Sequence, residues 1–109
     1  MPARPRILCV DDEPSVLDAL SASLRRDHDV VAIAGASAAL EALTRDPTIA
    51  VILSDLRMPG MDGATFLGKA RAIAPDAARL LLVAQGELDL ALAAMNEGRI
   101  FRFVIKPCT

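Results

Sequence analysis

Histidine is almost absent from this sequence, with His28 the only one, and cysteine occurs only at Cys9 and Cys108, near opposite ends. Neither cysteine has CxxC or other metal-ligand spacing. A zinc site of thiolates and imidazoles is therefore excluded, and both cysteines read as free thiols of a reducing cytosol. His28 lies in the polar turn Asp27-His28-Asp29 with no partner pattern around it, and reads as a solvated loop residue. Basic residues are not in excess. Lys and Arg number 12 against 14 Asp and Glu, for a net charge of -2, so the electrostatic footprint of a nucleic-acid binder is missing. No run approaches the ~18 apolar residues of a membrane span. The opening Met1-Pro-Ala-Arg-Pro-Arg6 leads into only a short apolar stretch, which does not form a secretory signal. No low-complexity segment appears, and no repeat at a period of about 20–50 residues.

What is present suits one domain over residues 1–109, with 53% hydrophobic residues to fill a core and an ordinary 24% charged share. Short apolar runs alternate with helical spacing. Strands are expected at 6–10, 29–33, 49–55, 79–83 and 100–105. Helices are expected from Pro14 to about Arg26, from a cap at Ser37 to before Pro47, from about Gly63 to Ala74, and through Leu88, Leu92 and Met95 to near Gly98. Strands alternating with helices predict an α/β fold, a doubly wound parallel sheet with right-handed crossovers.

Three strand ends carry unusual residues: Asp11-Asp12 on the first, Asp55 on the third, Lys106 on the fifth. In an open parallel sheet the carboxyl edge is where ligands bind. With the first strand central and the third beside it, the carboxylates converge and repel. A divalent cation or a lysine would neutralise them. Mg²⁺, a hard cation that takes oxygen ligands and keeps several waters, fits two or three carboxylates. An acidic pair after a strand is also an ordinary helix N-terminal charge bias. The match of Asp55 and Lys106 to the same edge weighs against that plainer reading.

The segments VDDEP at 10–14, SDLRMPGMDG at 54–63 and IKP at 105–107 resemble those of a bacterial response-regulator receiver domain. The resemblance covers nearly the whole chain, and the stretch 95–103 resembles receivers attached to larger cytosolic regulators. It implies a flavodoxin-like five-stranded parallel sheet of order 2-1-3-4-5. It also implies that Asp55 is the phosphoacceptor, a carboxylate nucleophile, with Lys106 pairing to a phosphoryl oxygen. Mg²⁺ would be held by Asp11, Asp12, Asp55 and the backbone carbonyl of Arg57, and Pro107 would follow a cis peptide bond. The implied partners are a sensor histidine kinase or phosphotransfer protein, and an output domain or partner protein, in the cytoplasm. Direct nucleic-acid binding and membrane contact by this domain are not expected. The chain is expected to be a signalling switch and not a turnover enzyme. A Mg²⁺-dependent phosphatase with an aspartate nucleophile would commonly need a second acid two residues on, where Arg57 stands.

Two features depart from the family pattern. Receivers usually carry Ser or Thr at the end of the fourth strand, and Val83 occupies that switch position, where valine offers similar shape but no hydroxyl. Phe103 holds the second switch position. The final helix that receivers place after the fifth strand is missing, which points to the N-terminal part of a longer regulator, or to a partner or second copy (a homodimer) covering the exposed groove. An alternative reading is therefore a phosphorylation-independent interaction module; under either reading the face formed by the fourth helix and fifth strand, residues 87–104, is the expected partner surface. If Val83 weakens the switch, Val83→Thr strengthens any phosphorylation-dependent conformational change. An unaltered response, read by NMR shifts of the loop after the fourth strand, would count against that role.

Overall fold

The computed structural model describes residues 5–96 and 102–105. The chain alternates strands and helices: β1 (Arg6–Asp11), α1 (Pro14–Leu24), β2 (Asp29–Ala34), α2 (Ala36–Arg45), β3 (Ile49–Asp55), α3 (Gly63–Ile73), β4 (Ala78–Val83), α4 (Leu88–Asn96) and β5 (Arg102–Ile105). A 3-10 turn, Gln85–Glu87, leads directly into α4. The strands form one parallel sheet of order β2-β1-β3-β4-β5, the doubly wound, flavodoxin-like order.

Alternation along the strands divides the core between the two faces of this sheet. Leu8 and Val10 of β1 and Ile52 of β3 point to one face, where they meet Leu43 of α2, Phe66 and Leu67 of α3, and Ala91 of α4. Ile7 and Cys9 point to the other, against Leu17, Leu20 and Leu24 of α1. Burial on both faces explains why β1 and β3 read as continuous aliphatic runs. Cys9 is free and buried, and burial pushes its thiol up to about 11, so it is an inert core residue. Cys108 lies outside the described residues. His28 is half-buried, its Nδ1 3.3 Å from the carbonyl oxygen of Leu24.

Several boundaries differ from the sequence expectation, each for a local reason. Helix α1 stops at Leu24, two residues before the expected Arg26, because the N–H groups of Asp27 and His28 both turn back to the Leu24 carbonyl. Ser37 is not the cap of α2. The cap position is Gly35, whose φ of 97° a side chain would disfavour, and Ser37 falls inside the first turn. Helix α3 is capped by Asp62, whose Oδ1 accepts the N–H of Thr65 at 2.7 Å. The fourth strand begins one residue earlier than expected, at Ala78. The expected helix end near Gly98 and the first two residues of the expected fifth strand lie outside the described residues.

The opposite, amino-terminal edge of the sheet is tied by charge. Arg6 at the start of β1 bonds Asp29 of β2 at 2.9 Å and pairs with Asp46 after α2. The side chains of Thr48 and Arg6 hold the Asp46 carboxyl below its ordinary value. Among the described residues Phe66 is the largest fully buried side chain. Phe66→Ala should cost about 3–5 kcal/mol through lost burial and the cavity left behind, measured by urea unfolding followed by circular dichroism.

Candidate metal centre

The sheet brings the predicted acidic residues to one edge. Parallel pairing of Val10 with Ser54 sets the ends of β1 and β3 side by side, and Asp11 and Asp55 are the last residues of those strands. Both are buried, at 1% and 6% exposure, while Asp12, one residue beyond β1, is exposed. One carboxylate oxygen from each of the three lies within 4.8 Å of the others. Asp11 is further oriented by the N–H of Glu13, which donates to its Oδ1 at 3.0 Å. The donor set is oxygen only, partly buried and open on the Asp12 side, which fits a hard divalent cation that retains water and does not fit zinc. Among the described residues this is the one such cluster of potential ligands.

The loop leaving β3 is folded tightly against this edge. The Leu56 N–H donates to the Leu82 carbonyl at 3.2 Å, and the Gly63 N–H to the Leu56 carbonyl at 2.7 Å. Gly60, at φ 79°, makes the reversal between them. Gly63 opens α3 so close to the site that a Cβ there would lie 2.0 Å from the Asp55 carbonyl oxygen. Ser54, fully buried, donates to that same carbonyl at 2.9 Å. The Asp55 carbonyl thus has Ser54 bonded to it and Gly63 close against it.

Arg57 lies in this loop, two residues beyond Asp55, and its side chain reaches across to pair with Glu87 at the start of α4. Val83 is fully buried as the last residue of β4. Phe103 lies in β5 opposite Leu81, with its side chain outside the description. Lys106 and Pro107 lie outside the described residues, so the geometry concerns Asp11, Asp12, Asp55, Arg57 and Val83. The sequence reading missed Asp62 as a cap, Gly63 as a contact and Glu87 as a partner of Arg57. A glycine opening a helix directly after a turn was a usable signal for Gly63. An acid 30 residues from its arginine carries none in sequence.

A family model described as response regulator receiver domain matches residues 7–109. The chain is 38% identical over 103 residues to the response regulator protein FleR of Pseudomonas aeruginosa, covering 94% of this chain and 21% of that protein. It is 35% identical to the hydrogenase transcriptional regulatory protein HoxA of Cupriavidus necator, covering 93% of this chain and 21% of that protein. The crystal structure of a response regulator receiver domain protein from Clostridium thermocellum superposes with a TM-score of 0.88 at 32% identity, covering 96% of this chain and 84% of that one. The chain thus spans about a fifth of the length of these curated relatives.

Adding one carbon at Gly63 should push the Asp55 carbonyl out of line. Gly63→Ala is expected to lose about 1–3 kcal/mol to overpacking and to lose part of the stabilisation that added Mg²⁺ gives the wild-type chain. Urea melts with and without Mg²⁺ read both effects. Wild-type behaviour in both would mean that the loop yields freely.

Proposed function

The chain belongs to the response regulator receiver domain family, and from that premise we propose that Asp55 is its phosphoacceptor. The observation that carries the reading is the convergence of Asp11, Asp12 and Asp55, with ligand oxygens within 4.8 Å of one another at the carboxyl edge of the sheet. An oxygen of the Asp55 carboxylate attacks the phosphorus of the donor. The new bond is the O–P bond of an acyl phosphate. The bond broken joins phosphorus to the donor's leaving atom, which departs with the electron pair: imidazole nitrogen from a phosphohistidine, or acetate oxygen from acetyl phosphate.

The chain's own groups prepare this step. The Ser54 hydrogen bond to the Asp55 carbonyl and the close approach of Gly63 restrict the backbone that carries the nucleophile, which serves the positioning on which phosphoryl transfer depends. Asp11, Asp12, Asp55 and the backbone carbonyl of Arg57 are the groups that would hold Mg²⁺. When bound, the ion supplies positive charge against the phosphoryl oxygens. Lys106 is assigned the same task from the fifth strand, and Pro107 the aiming of that lysine. Val83 and Phe103 are assigned to the readout, where Val83 offers shape without a hydroxyl.

The chain is read as a switch, not a turnover enzyme, working in the cytosol. Its donor is a sensor histidine kinase or a phosphotransfer protein. Its output is assigned to a further domain or a partner, in keeping with relatives named as transcriptional regulators. Leu90, Leu92 and Met95 are exposed on α4, and residues 87–104 are the surface we assign to that partner or to a second copy. Val83 favours one other reading, a module whose binding does not depend on phosphorylation.

Intact mass after incubation with Mg²⁺ and acetyl phosphate tests the assignment. One phosphoryl adduct is expected, lost in Asp55→Asn and lost when Mg²⁺ is chelated. A chain that folds but takes up no phosphoryl group would leave the interaction module as the better account.

A further inference from the structure

One arginine lies against the core without a match, at the opposite end of the sheet from the acidic edge. Arg79 is the second residue of β4. It pairs in register with Ile52 and alternates with Leu81 and Val83, which places it on the face covered by α2, α3 and α4. The residue is half-buried. Its Nε and Nη1 are shielded from solvent and have no hydrogen-bond partner. Among the described residues no acid pairs with it. Burial first, and then the like charge of Arg71 on the last turn of α3, lower the guanidinium below its ordinary value.

A guanidinium keeps its proton at any ordinary pH, so this group does not escape burial by turning neutral. Shielded donors without acceptors oppose folding of the free chain. An unbranched apolar side chain would sit in the same place with no such cost. An arginine that weakens the free chain is accounted for when its acceptor comes with a second molecule, the usual trade of stability for function.

The surroundings indicate what that molecule carries. Because β4 and β5 are parallel, α4 runs back antiparallel to β4. Ala91 of α4 and Leu81 of β4 share the core. One helical turn further on α4 and two residues back on β4 are both about 6 Å, so Met95 stands at the level of Arg79. Met95 is exposed, and so is Leu92, one turn before it. The start of β4 thus offers a cation beside exposed apolar side chains. We infer that this is a docking point for a partner protein, and that Arg79 receives a glutamate or aspartate side chain presented there among aliphatic residues.

The chemistry is that of the arginine fork. At the boundary of the core, the flexible stem of Arg79 stays against apolar neighbours while the planar group turns to meet one carboxylate with two parallel N–H donors. Arg71 adds positive charge on the same side. A nucleic-acid phosphate is the poorer occupant, because the chain carries 14 acidic against 12 basic residues and the neighbours of Arg79 on α4 are apolar. The docking point is separate from the acidic edge and does not depend on the reading of Asp55.

NMR of the arginine Nε–H groups tests the inference on the wild-type chain, with the Arg79 signal identified by its loss in Arg79→Met. Three probes are added separately: acetyl-Leu-Glu-Leu-amide, acetyl-Leu-Gln-Leu-amide and inorganic phosphate. The glutamate peptide should move the Arg79 signal to saturation, and the other two should leave it in place. Arg79→Met should bind the glutamate peptide about tenfold more weakly, read by the Met95 amide, for want of one charge-assisted pair. It should also unfold at a higher urea midpoint than wild type. A lower midpoint overturns the inference, since Arg79 would then be satisfied in the free chain. So does an Arg79 signal that ignores the glutamate peptide, or that the glutamine peptide moves as far. Phosphate acting as strongly as the glutamate peptide also overturns it, in favour of a general anion site.

Discussion

Three carboxylates brought to one place repel one another, and the rest of this structure is arranged around tolerating that. Asp11 and Asp55 are buried and Asp12 stands beside them in solvent. Charge this concentrated opposes folding unless the backbone that carries it is held by other means and a cation is available. The holding is done by apolar burial at a distance. β1 and β3 are the central pair of the sheet, and their aliphatic residues are packed on both faces by α1 on one side and by α2 and α3 on the other. Each strand ends in its acid only after its hydrophobic residues are spent. The stabilising residues and the functional ones lie on the same strands but do not compete for the same positions.

The second level of support is local and polar. Around Asp55 the chain reverses through Gly60, returns to the Leu56 carbonyl through the Gly63 N–H, and starts α3 under an Asp62 cap. No single contact here is large. Together they fix the loop, because each removes a backbone donor or acceptor that would otherwise be unsatisfied at the edge of the core. Glycine at 63 is dictated by space and not by φ, since the neighbouring carbonyl leaves no room for a Cβ.

The strands and the acidic edge were legible in the sequence because they rest on short-range pattern, whereas the strand order came from the family resemblance. Aliphatic runs identify buried strands, alternation with helices restricts the topology, and an acid closing such a run is visible without knowing its neighbours. Helix starts were less legible. Ser37 has a capping side chain, yet Gly35 took the cap because the chain leaves β2 through a positive φ that serine would strain. Asp62 lay within the family-like segment and was not read as a cap. Glu87 was not legible as a partner of Arg57. Its importance depends on burial and on an arginine from another strand-end loop, and neither is encoded nearby. Lys106 and Pro107 were legible as motif residues, and their geometry falls outside the described part of the chain.

The two ends of β4 show how a rigid edge can border on a movable one. Leu80 to Leu82 are paired on both sides, and Val83, paired with β5, has a fully buried side chain. Immediately beyond, the 3-10 turn is held by its own Ala84 contacts and by the pair from Arg57. Regions with few buried apolar contacts and a handful of polar ties are those that open first. A local change of charge at the acidic edge therefore meets stiff resistance toward β1 and β3 and little toward α4. Any motion that starts at Asp55 is channelled by this difference in packing, toward the helix whose exposed leucines and methionine face outward.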